Sequence, residues 1–167
     1  MHILSPVLLL LVVVAGLAPA RAQTLPASGL DARPDNAACV APARLAGSGS
    51  LGAGWTGADI GAVDAAGSTT IPGAGRLTLR GSGSDIWGSR DEFHFAYRAL
   101  TGDGDLVARV TGLTNTNAWA KAGVMVRASL AADSPFGLML MTPGGNGGAF
   151  QYRTSPGGSA APSNSAD

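Results

Sequence analysis

The side chains that could perform acid–base chemistry are few in this sequence. Glu92 is its only glutamate, so a glycosidase site made of two glutamates cannot be assembled. Asp85 and Asp91 could in principle supply the acid and the nucleophile of such a site. Their positions instead favour a strand-end charge and a turn residue. We therefore predict no paired-carboxylate glycosidase site.

Histidine chemistry is equally limited. His2 precedes the N-terminal apolar segment, so His94 is the remaining histidine, and Cys39 is the only cysteine. A histidine-based zinc site would need more such ligands. A Ser-His-Asp triad needs only one histidine, but the sequence has no Gly-x-Ser-x-Gly elbow. His94 stands between Phe93 and Phe95, and we interpret it as a structural residue pointing to the opposite face of a strand.

Two further ligand patterns lack the context that their chemistry needs. Gly-x-Gly-x-x-Gly occurs twice between Gly47 and Gly57, but a dinucleotide site requires a strand before the motif and a helix after it. The run Asp103-Gly104-Asp105 offers two carboxylates, whereas Ca²⁺ takes about six to eight oxygen ligands. We predict no catalytic residue, no metal and no cofactor, and hence that the chain is not an enzyme.

Aromatic residues are the remaining candidates for ligand contacts. Trp87, Tyr97 and Trp119 are the candidate ligand-binding residues, with Trp55 as a weaker fourth. Exposed tryptophan and tyrosine rings form flat apolar platforms for the faces of sugar rings. The alternative is that each ring fills the core, because aromatic side chains bury a large area. Both interpretations stay open from the sequence alone.

The charge balance excludes one class of partner. The chain has 11 basic and 11 acidic residues, which gives a formal net charge of zero. Lys121 is its only lysine, and the arginines are scattered. Nucleic-acid recognition relies on clustered positive charge, so we predict no nucleic-acid partner.

The N-terminal segment predicts export. Residues 3–17 are almost wholly apolar and precede Ala20-Arg21-Ala22, a small-x-small pattern that signal peptidase accepts. The run is shorter than the ~20 apolar residues of a membrane span. No Lys or Arg precedes it, so the positively charged segment that usually begins a signal peptide is missing. A buried core helix is the alternative. We predict a signal peptide over residues 1–22, cleaved before Gln23, and a secreted or periplasmic protein without a stable membrane anchor after cleavage.

Composition divides the rest of the chain into three parts. Residues 23–54 are rich in Pro, Ala, Gly and Ser without a sustained apolar period, which predicts a linker. Residues 55–154 carry the periodic apolar pattern of a folded module. Residues 155–167 are Ser, Pro, Gly and Ala with one terminal charge, and are predicted to be a disordered tail.

The module has the pattern of short strands. Arg76–Arg80 alternates strictly, and Phe93, Phe95 and Tyr97 alternate with polar and small residues. The turn sequence Thr-Gly-Asp-Gly follows, and Asp105–Leu113 resumes the alternation. An antiparallel hairpin is therefore predicted between these last two strands.

Three more strands are predicted downstream. Ala122–Arg127, Phe136–Met141 and Gly148–Thr154 are short apolar runs between turn residues. A helix over residues 119–132 is the alternative, and the β-branched Val124 favours the strand. Short strands separated by Gly, Pro and Asn turns predict an all-β antiparallel sandwich or barrel.

Several segments resemble a known family. They are WTGADIGAV (55–63), GSGSDIWGSRDEFHF (81–95), LTGDGDLVARV (100–110), NAWAKAGVMVR (117–127) and LMLMTP (138–143). Together they resemble the concanavalin A-like (LamG-like jelly-roll) modules of secreted bacterial proteins. Many of these modules have no assigned function, and they are often appended to carbohydrate-active or cell-surface enzymes. The resemblance implies an antiparallel β-sandwich and a secreted, non-catalytic interaction module that binds an extracellular carbohydrate.

The resemblance also implies a fragment. Modules of this family continue after the equivalent of Tyr152-Arg153 with several more strands, which complete both sheets. We therefore expect an incomplete jelly roll, prone to aggregation, with apolar side chains of Ala122–Val126 and Phe136–Met141 open to solvent. The alternative functions are the N-terminal fragment of a larger secreted carbohydrate-active enzyme (glycoside hydrolase or sugar dehydrogenase type) whose catalytic part is absent, and a structural cell-surface domain.

Overall fold

The structure is a computed structural model that describes residues 54–73 and 75–163, and the backbone of two N-terminal strands. This part of the chain contains no helix, and so none that could cross a membrane. Its strands, in chain order, are β1 (Val7–Val14), β2 (Gln23–Thr24), β3 (Thr56–Ile60), β4 (Ser68–Gly73), β5 (Arg76–Gly81), β6 (Ile86–Trp87), β7 (Arg90–Asp91), β8 (Phe93–Leu100), β9 (Ala122–Arg127), β10 (Phe136–Met141), β11 (Gly148–Arg153) and β12 (Ala161–Ser163).

The strands form antiparallel sheets. Seven of them pair in the order β12-β11-β10-β9-β1-β8-β3. A second sheet has the order β2-β5-β4, and β6 pairs with β7 in a separate hairpin. Every pairing is antiparallel. The predicted all-β, antiparallel architecture is confirmed.

Most of the predicted strands are confirmed. The alternating run Arg76–Arg80 becomes β5, and the aromatic run becomes β8. Three downstream apolar runs become β9, β10 and β11. The alternative helix over residues 119–132 is wrong, because β9 pairs residue by residue with β10, from Met141↔Ala122 to Phe136↔Arg127.

The N-terminal apolar run forms a strand in the largest sheet. The backbone of β1 pairs with β8 from Val7↔Leu100 to Val14↔His94, and with β9 at Leu8↔Arg127. The rest of the predicted signal peptide, the cleavage site at Ala22 and nearly all of the predicted linker (residues 23–54) lie outside the described residues. The signal peptide and the linker therefore stay predictions.

The predicted hairpin between β8 and residues 105–113 is wrong for this structure. The neighbours of β8 are β1 and β3, and residues 105–113 form no strand. The physical reason is that β1 occupies the hydrogen-bonding edge of β8 that the hairpin partner would need.

The core lies where the two larger sheets meet. Leu79 of β5 belongs to the same buried cluster as Phe93 and Phe95 of β8 and Leu138 of β10. Phe93 and Phe95 contact each other edge to face, with ring centroids 5.5 Å apart. This arrangement is favourable for the quadrupoles of the two rings. The period-two pattern of the sequence therefore directs alternate side chains of several strands into one apolar core.

The opposite face of β9, β10 and β11 is apolar and open. In β10, Leu138 and Leu140 are buried, whereas the alternate residues Met139 and Met141 are 57% and 47% exposed. Met139 lies opposite Val124 of β9 and Phe150 of β11 in the sheet register. The expected apolar side chains open to solvent are thus present on one side of the sheet.

The predicted disordered tail is wrong for residues 155–163. Ala160 is buried, and its amide donates to the carbonyl of Gly88 at 2.7 Å. The guanidinium Nε of Arg153 donates to the carbonyl of Gly158 at 2.8 Å. Strand β12 then pairs with β11 through Tyr152↔Ala161. Backbone hydrogen bonds, which a composition rich in Ser, Gly and Ala does not reveal, fix this segment. Residues 164–167 lie outside the described part.

Candidate functional site

Trp87 is presented by the short β6–β7 hairpin. Its neighbour Ile86 is fully buried, so the alternation of the strand turns the indole outward, where it is 39% exposed. Gly88 follows with φ 54°, a left-handed conformation that suits glycine in the turn. The ammonium of Lys121 lies 5.6 Å from the centroid of the Trp87 ring. This cation–π contact holds one face of the indole.

Lys121 is itself fixed in place. Its side chain is buried, and its ammonium donates to Asp85 Oδ1 at 2.6 Å and to the carbonyl of Ile86 at 3.1 Å. Asp85 Oδ1 also accepts the amide hydrogen of Ile86 at 2.7 Å. A buried charge needs such partners, because water no longer solvates it. Lys121 therefore anchors both Asp85 and the β6–β7 hairpin that carries Trp87.

Trp119 is presented by the turn that precedes Lys121, and its side chain is 49% exposed. Asn117 Oδ1 accepts the backbone amide of Trp119 at 2.8 Å. From the other side, Asn146 Nδ2 donates to the carbonyl of Ala118 at 2.9 Å. These bonds constrain the turn, so Trp119 is exposed on a fixed backbone.

The two exposed tryptophans are connected through Lys121. Two residues of chain span at most about 7 Å, so Trp119 lies close to the backbone of Lys121, whose ammonium contacts Trp87. We call Trp87, Trp119, Lys121 and Asp85 the indole surface. The sequence identified both tryptophans as candidates. In the structure Lys121 links them, because Trp119 lies two residues before it and its ammonium contacts the Trp87 ring.

Tyr97 has a different environment. It is half-buried, packs against the core cluster and stacks on Phe95 with ring centroids 5.6 Å apart and an interplanar angle of 15°. Trp55 is also half-buried, and the guanidinium of Arg98 lies 5.7 Å from its ring centroid. Among the described ring contacts, none joins Tyr97 or Trp55 to the indole surface. These two rings pack mainly against the protein.

His94 forms a hydrogen-bonded chain with two residues from other strands. Its Nδ1 lies 2.7 Å from Asp59 Oδ1, and its Nε2 lies 2.9 Å from Thr69 Oγ1. Asp59 also accepts the backbone amide of Gly67, with one contact to each carboxylate oxygen. The order carboxylate, imidazole, hydroxyl is the order of a hydrolase triad. Sequence reasoning did not find Asp59 or Thr69, because neither lies in a catalytic motif.

The surroundings of His94 leave little room for a substrate. A methyl group on Gly67 would come within 2.2 Å of His94 Nδ1, and one on Gly57 within 3.3 Å of both His94 Nε2 and Thr69 Oγ1. The backbone therefore closes over both nitrogens of the ring. The hydrogen-bonded chain Asp59–His94–Thr69 links β3, β4 and β8. The Thr69 hydroxyl, which would act as the nucleophile, lies beneath Gly57.

Asp91 is the centre of a buried ion cluster. Its side chain and those of Arg127 and Arg153 are fully excluded from solvent. Arg153 donates to Oδ2 at 2.8 Å and to Oδ1 at 2.7 Å, and Arg127 donates to Oδ2 at 3.2 Å. The interpretation of Asp91 as a simple turn residue is therefore wrong, because its carboxylate lies in the interior and binds two arginines.

Backbone carbonyls accept further hydrogen bonds from both guanidinium groups. Arg127 donates to the carbonyls of Ser129 and Ala131, and Arg153 to those of Ser134, Gly88 and Gly158. Burial lowers the pKa of the Arg127 guanidinium below its usual value, and the Asp91 carboxylate opposes this change. A signal was present in the sequence, since an arginine ends each of the apolar strands β9 and β11.

A shallow groove crosses the open apolar face. Its volume is about 410 Å³. Val124, Val126, Met139 and Phe150 line its floor, and the loop that includes Leu100, residues 102–104 and Leu106 forms one wall. The groove contains Asp103 as its one acidic lining residue. It lacks the several converging polar groups that usually orient a small molecule.

No ligand set for a metal ion is present in the described part of the chain: no three side chains of His, Cys, Asp or Glu form a suitable group there. Asp103 and Asp105 are both exposed. Cys39 lies outside the described residues, as do most glycines of the two Gly-x-Gly-x-x-Gly motifs.

No protein-family model matches the chain, and no curated protein or solved structure matches it significantly. Function is therefore inferred from the side chains themselves, since one fold can host many activities. The indole surface combines two exposed apolar rings with polar neighbours on a fixed backbone. Chemically, it can stack on flat apolar faces of a ligand and form hydrogen bonds beside them.

Proposed function

We propose that this chain is an exported, non-catalytic binding module of the concanavalin A-like β-sandwich type, and that its ligand is an extracellular glycan. The observation that carries the proposal is the exposure of Trp87 and Trp119 on two hydrogen-bonded turns that Lys121 links. Contact of water with a large apolar ring is unfavourable, so a partner that covers the ring gains free energy. Two such rings in one region favour a ligand with repeated apolar faces, as in a chain of pyranose rings.

The expected strength of the contact follows from the buried area. Covering ~60 Å² of one indole at ~25 cal/mol per Å² contributes about 1.5 kcal/mol. A contribution of 1.4 kcal/mol changes an affinity about tenfold. Two tryptophans therefore support the weak, reversible binding of one glycan chain, with the polar groups of Asp85 and Asn146 beside them as hydrogen-bonding neighbours.

The absence of catalysis is supported by the positions of the titratable groups. The carboxylate of Asp91 is bound by two arginines inside the protein, so no sugar can reach it. His94 is enclosed by the backbone at Gly57 and Gly67. The carboxylate of Asp85 is paired with the ammonium of Lys121.

Affinity electrophoresis of the exported protein in gels containing soluble polysaccharides tests the proposal. We expect retardation by at least one polysaccharide, and about a tenfold weaker Kd for Trp87→Ala and for Trp119→Ala. Phe150→Ala is the matched control, because Phe150 is similarly exposed (40%) but lies on the open face of the sheet. Equal retardation of all three variants would refute the assignment of the indole surface. A failure of the wild-type protein to bind any polysaccharide of a broad panel would refute the glycan itself.

A further inference from the structure

Residues 105–112 have the burial pattern of a strand without being one. Leu106, Ala108 and Val110 are half-buried and pack against the core cluster, whereas Val107 and Arg109 between them are exposed. This is the period-two alternation of a strand with one face on a core. Yet none of the strand pairings among the described residues includes this segment. Extended backbone with unpaired N–H and C=O groups gains free energy when it joins a sheet.

Strand β1 occupies the position beside β8 that a hairpin partner of β8 would take. Strand β1 is antiparallel to both β8 and β9, so β8 and β9 run parallel to each other with one strand between them. Residues 101–121 connect β8 to β9 along the chain. If β8, residues 105–112 and β9 formed a meander of three antiparallel strands, residues 105–112 would run in the same direction as β1. The segment also has the eight residues of β1.

The residues at the start of this segment suit the turn that the meander needs. Gly102 has φ 84°, the left-handed conformation of a tight hairpin turn, and Asp103 follows it. A two-residue turn there would place Leu106 opposite Ala99 and Ala108 opposite Tyr97. In the present structure, the backbone of β1 holds those two positions, with Leu8↔Ala99 and Leu10↔Tyr97.

We propose that β1 is a temporary occupant of the sheet, and that its release lets residues 105–112 take its place between β8 and β9. The apolar leader thus holds the exported precursor in an unfinished fold. Cleavage before Gln23 removes β1 and permits the final strand pairing. This inference depends on the leader being removable, which belongs to the proposed export, and does not depend on the glycan.

Hydrogen exchange of the full chain tests the replacement. In the unmodified full chain, amides of residues 105–112 should exchange rapidly, because β1 blocks their partner. In the full chain with Leu10→Pro, β1 cannot complete its ladder, since proline removes a backbone donor. We expect amide exchange in residues 105–112 to slow at least tenfold in this variant. Equally rapid exchange in both chains, with β10 and β11 still protected, would overturn the proposal.

A second proline separates replacement from general stabilisation. Ala108→Pro should leave amide protection in β8 and β9 of the unmodified full chain unchanged, because residue 108 pairs with nothing there. Combined with Leu10→Pro, the same substitution should abolish the new protection. If Ala108→Pro disrupts the full chain by itself, residues 105–112 are already needed beside β1 and the proposal is wrong.

A disulfide provides a readout that does not require Leu10→Pro to fold. With Cys39→Ser as background, the pair Arg98→Cys and Val107→Cys brings two thiols opposite each other in the proposed register. A disulfide forms only when the two Cα atoms lie about 4.4–6.8 Å apart. We expect the bond in exported, cleaved protein and not in the uncleaved precursor. A bond in both forms, or in neither, contradicts the proposal, whereas loss of glycan binding in Trp87→Ala has no effect on it.

Discussion

The carboxylate of Asp91 accepts two hydrogen bonds from one guanidinium group, that of Arg153, and both side chains are excluded from solvent. This paired geometry is the strongest form of an arginine–carboxylate contact. It joins the β6–β7 hairpin, which carries Trp87, to β11. Arg127 adds β9 to the same cluster through Asp91 Oδ2. The candidate site is therefore positioned by a buried ion cluster as well as by apolar packing.

Asp91→Ala should be among the most destabilising single substitutions in this chain. It would leave two arginines in the interior without a counter-charge, and breaking a buried pair in this way costs about 3–5 kcal/mol. We expect the free energy of unfolding to fall by about that amount in urea denaturation. Asp103→Ala is the control, because Asp103 lies exposed in a turn and surface changes stay within about 0.5 kcal/mol. Similar stability of the two variants would show that the cluster contributes little.

Gly67→Ala should disrupt the chain Asp59–His94–Thr69. A methyl group on Gly67 would come within 2.2 Å of His94 Nδ1 and 2.6 Å of Asp59 Oδ1, so the imidazole must move. Overpacking of this kind costs about 1–3 kcal/mol, and the loss of a buried hydrogen bond adds to it.

Gly73→Ala is the matched control for Gly67→Ala, because a methyl group there meets no atom within 4 Å. The measurement is the midpoint of thermal unfolding for both variants. We expect a clear decrease for Gly67→Ala and little change for Gly73→Ala. Equal midpoints would show that His94 moves aside without loss of stability.

The strands could be predicted from the sequence because their signal is local. In Phe136–Met141, the alternate residues Phe136, Leu138 and Leu140 face the core, as a period of two requires. The ion cluster could not be predicted in the same way. Asp91 is separated by 36 residues from Arg127 and by 62 from Arg153, so only the sheet topology brings them together.

The candidate site was predictable in part. The sequence identified Trp87, Tyr97 and Trp119 as the aromatic residues available for a ligand. It could not separate the exposed rings from the packed one, because Tyr97 belongs to the same alternation as Phe95 and stacks on it. The position of β1 was also beyond local signals. An apolar run of its composition suits a signal peptide and a central strand equally well.

Met139→Glu should reduce self-association without unfolding the protein. Met139 is 57% exposed at the centre of the open apolar face, between Val124 and Phe150. Apolar patches of a few hundred Å² favour association, and a carboxylate among them opposes it by its hydration and its charge.

Light scattering of concentrated protein checks the Met139→Glu prediction. We expect a lower apparent mass than for the unmodified chain, with an unchanged unfolding midpoint. Leu138→Glu, one residue earlier on the buried side of β10, is the contrasting variant and should unfold the protein. An unchanged apparent mass for a well-folded Met139→Glu variant would exclude the open face as the associating surface.

Lys121→Met should remove the energetic coupling between Lys121 and Trp87 within the indole surface. Methionine retains most of the apolar stem but removes the ammonium that bonds to Asp85 and lies against the Trp87 ring. A cation–π contact contributes about 0.5–2 kcal/mol, depending on how far the cation is desolvated. We therefore expect a double-mutant cycle of Lys121→Met with Trp87→Phe, measured by urea denaturation, to show a coupling of about 0.5–1 kcal/mol.

The same cycle with Trp55→Phe separates the specific contact from a general loss of stability. Trp55 contacts Arg98 and has no described ring contact with Lys121, so its coupling to Lys121→Met should be close to zero. Lys121→Met should also weaken ligand binding, because the ammonium fixes the orientation of the Trp87 indole. If both tryptophans couple to Lys121 equally, the ammonium acts on the whole fold rather than on Trp87. The indole surface would then lack the rigid support on which its proposed binding role depends.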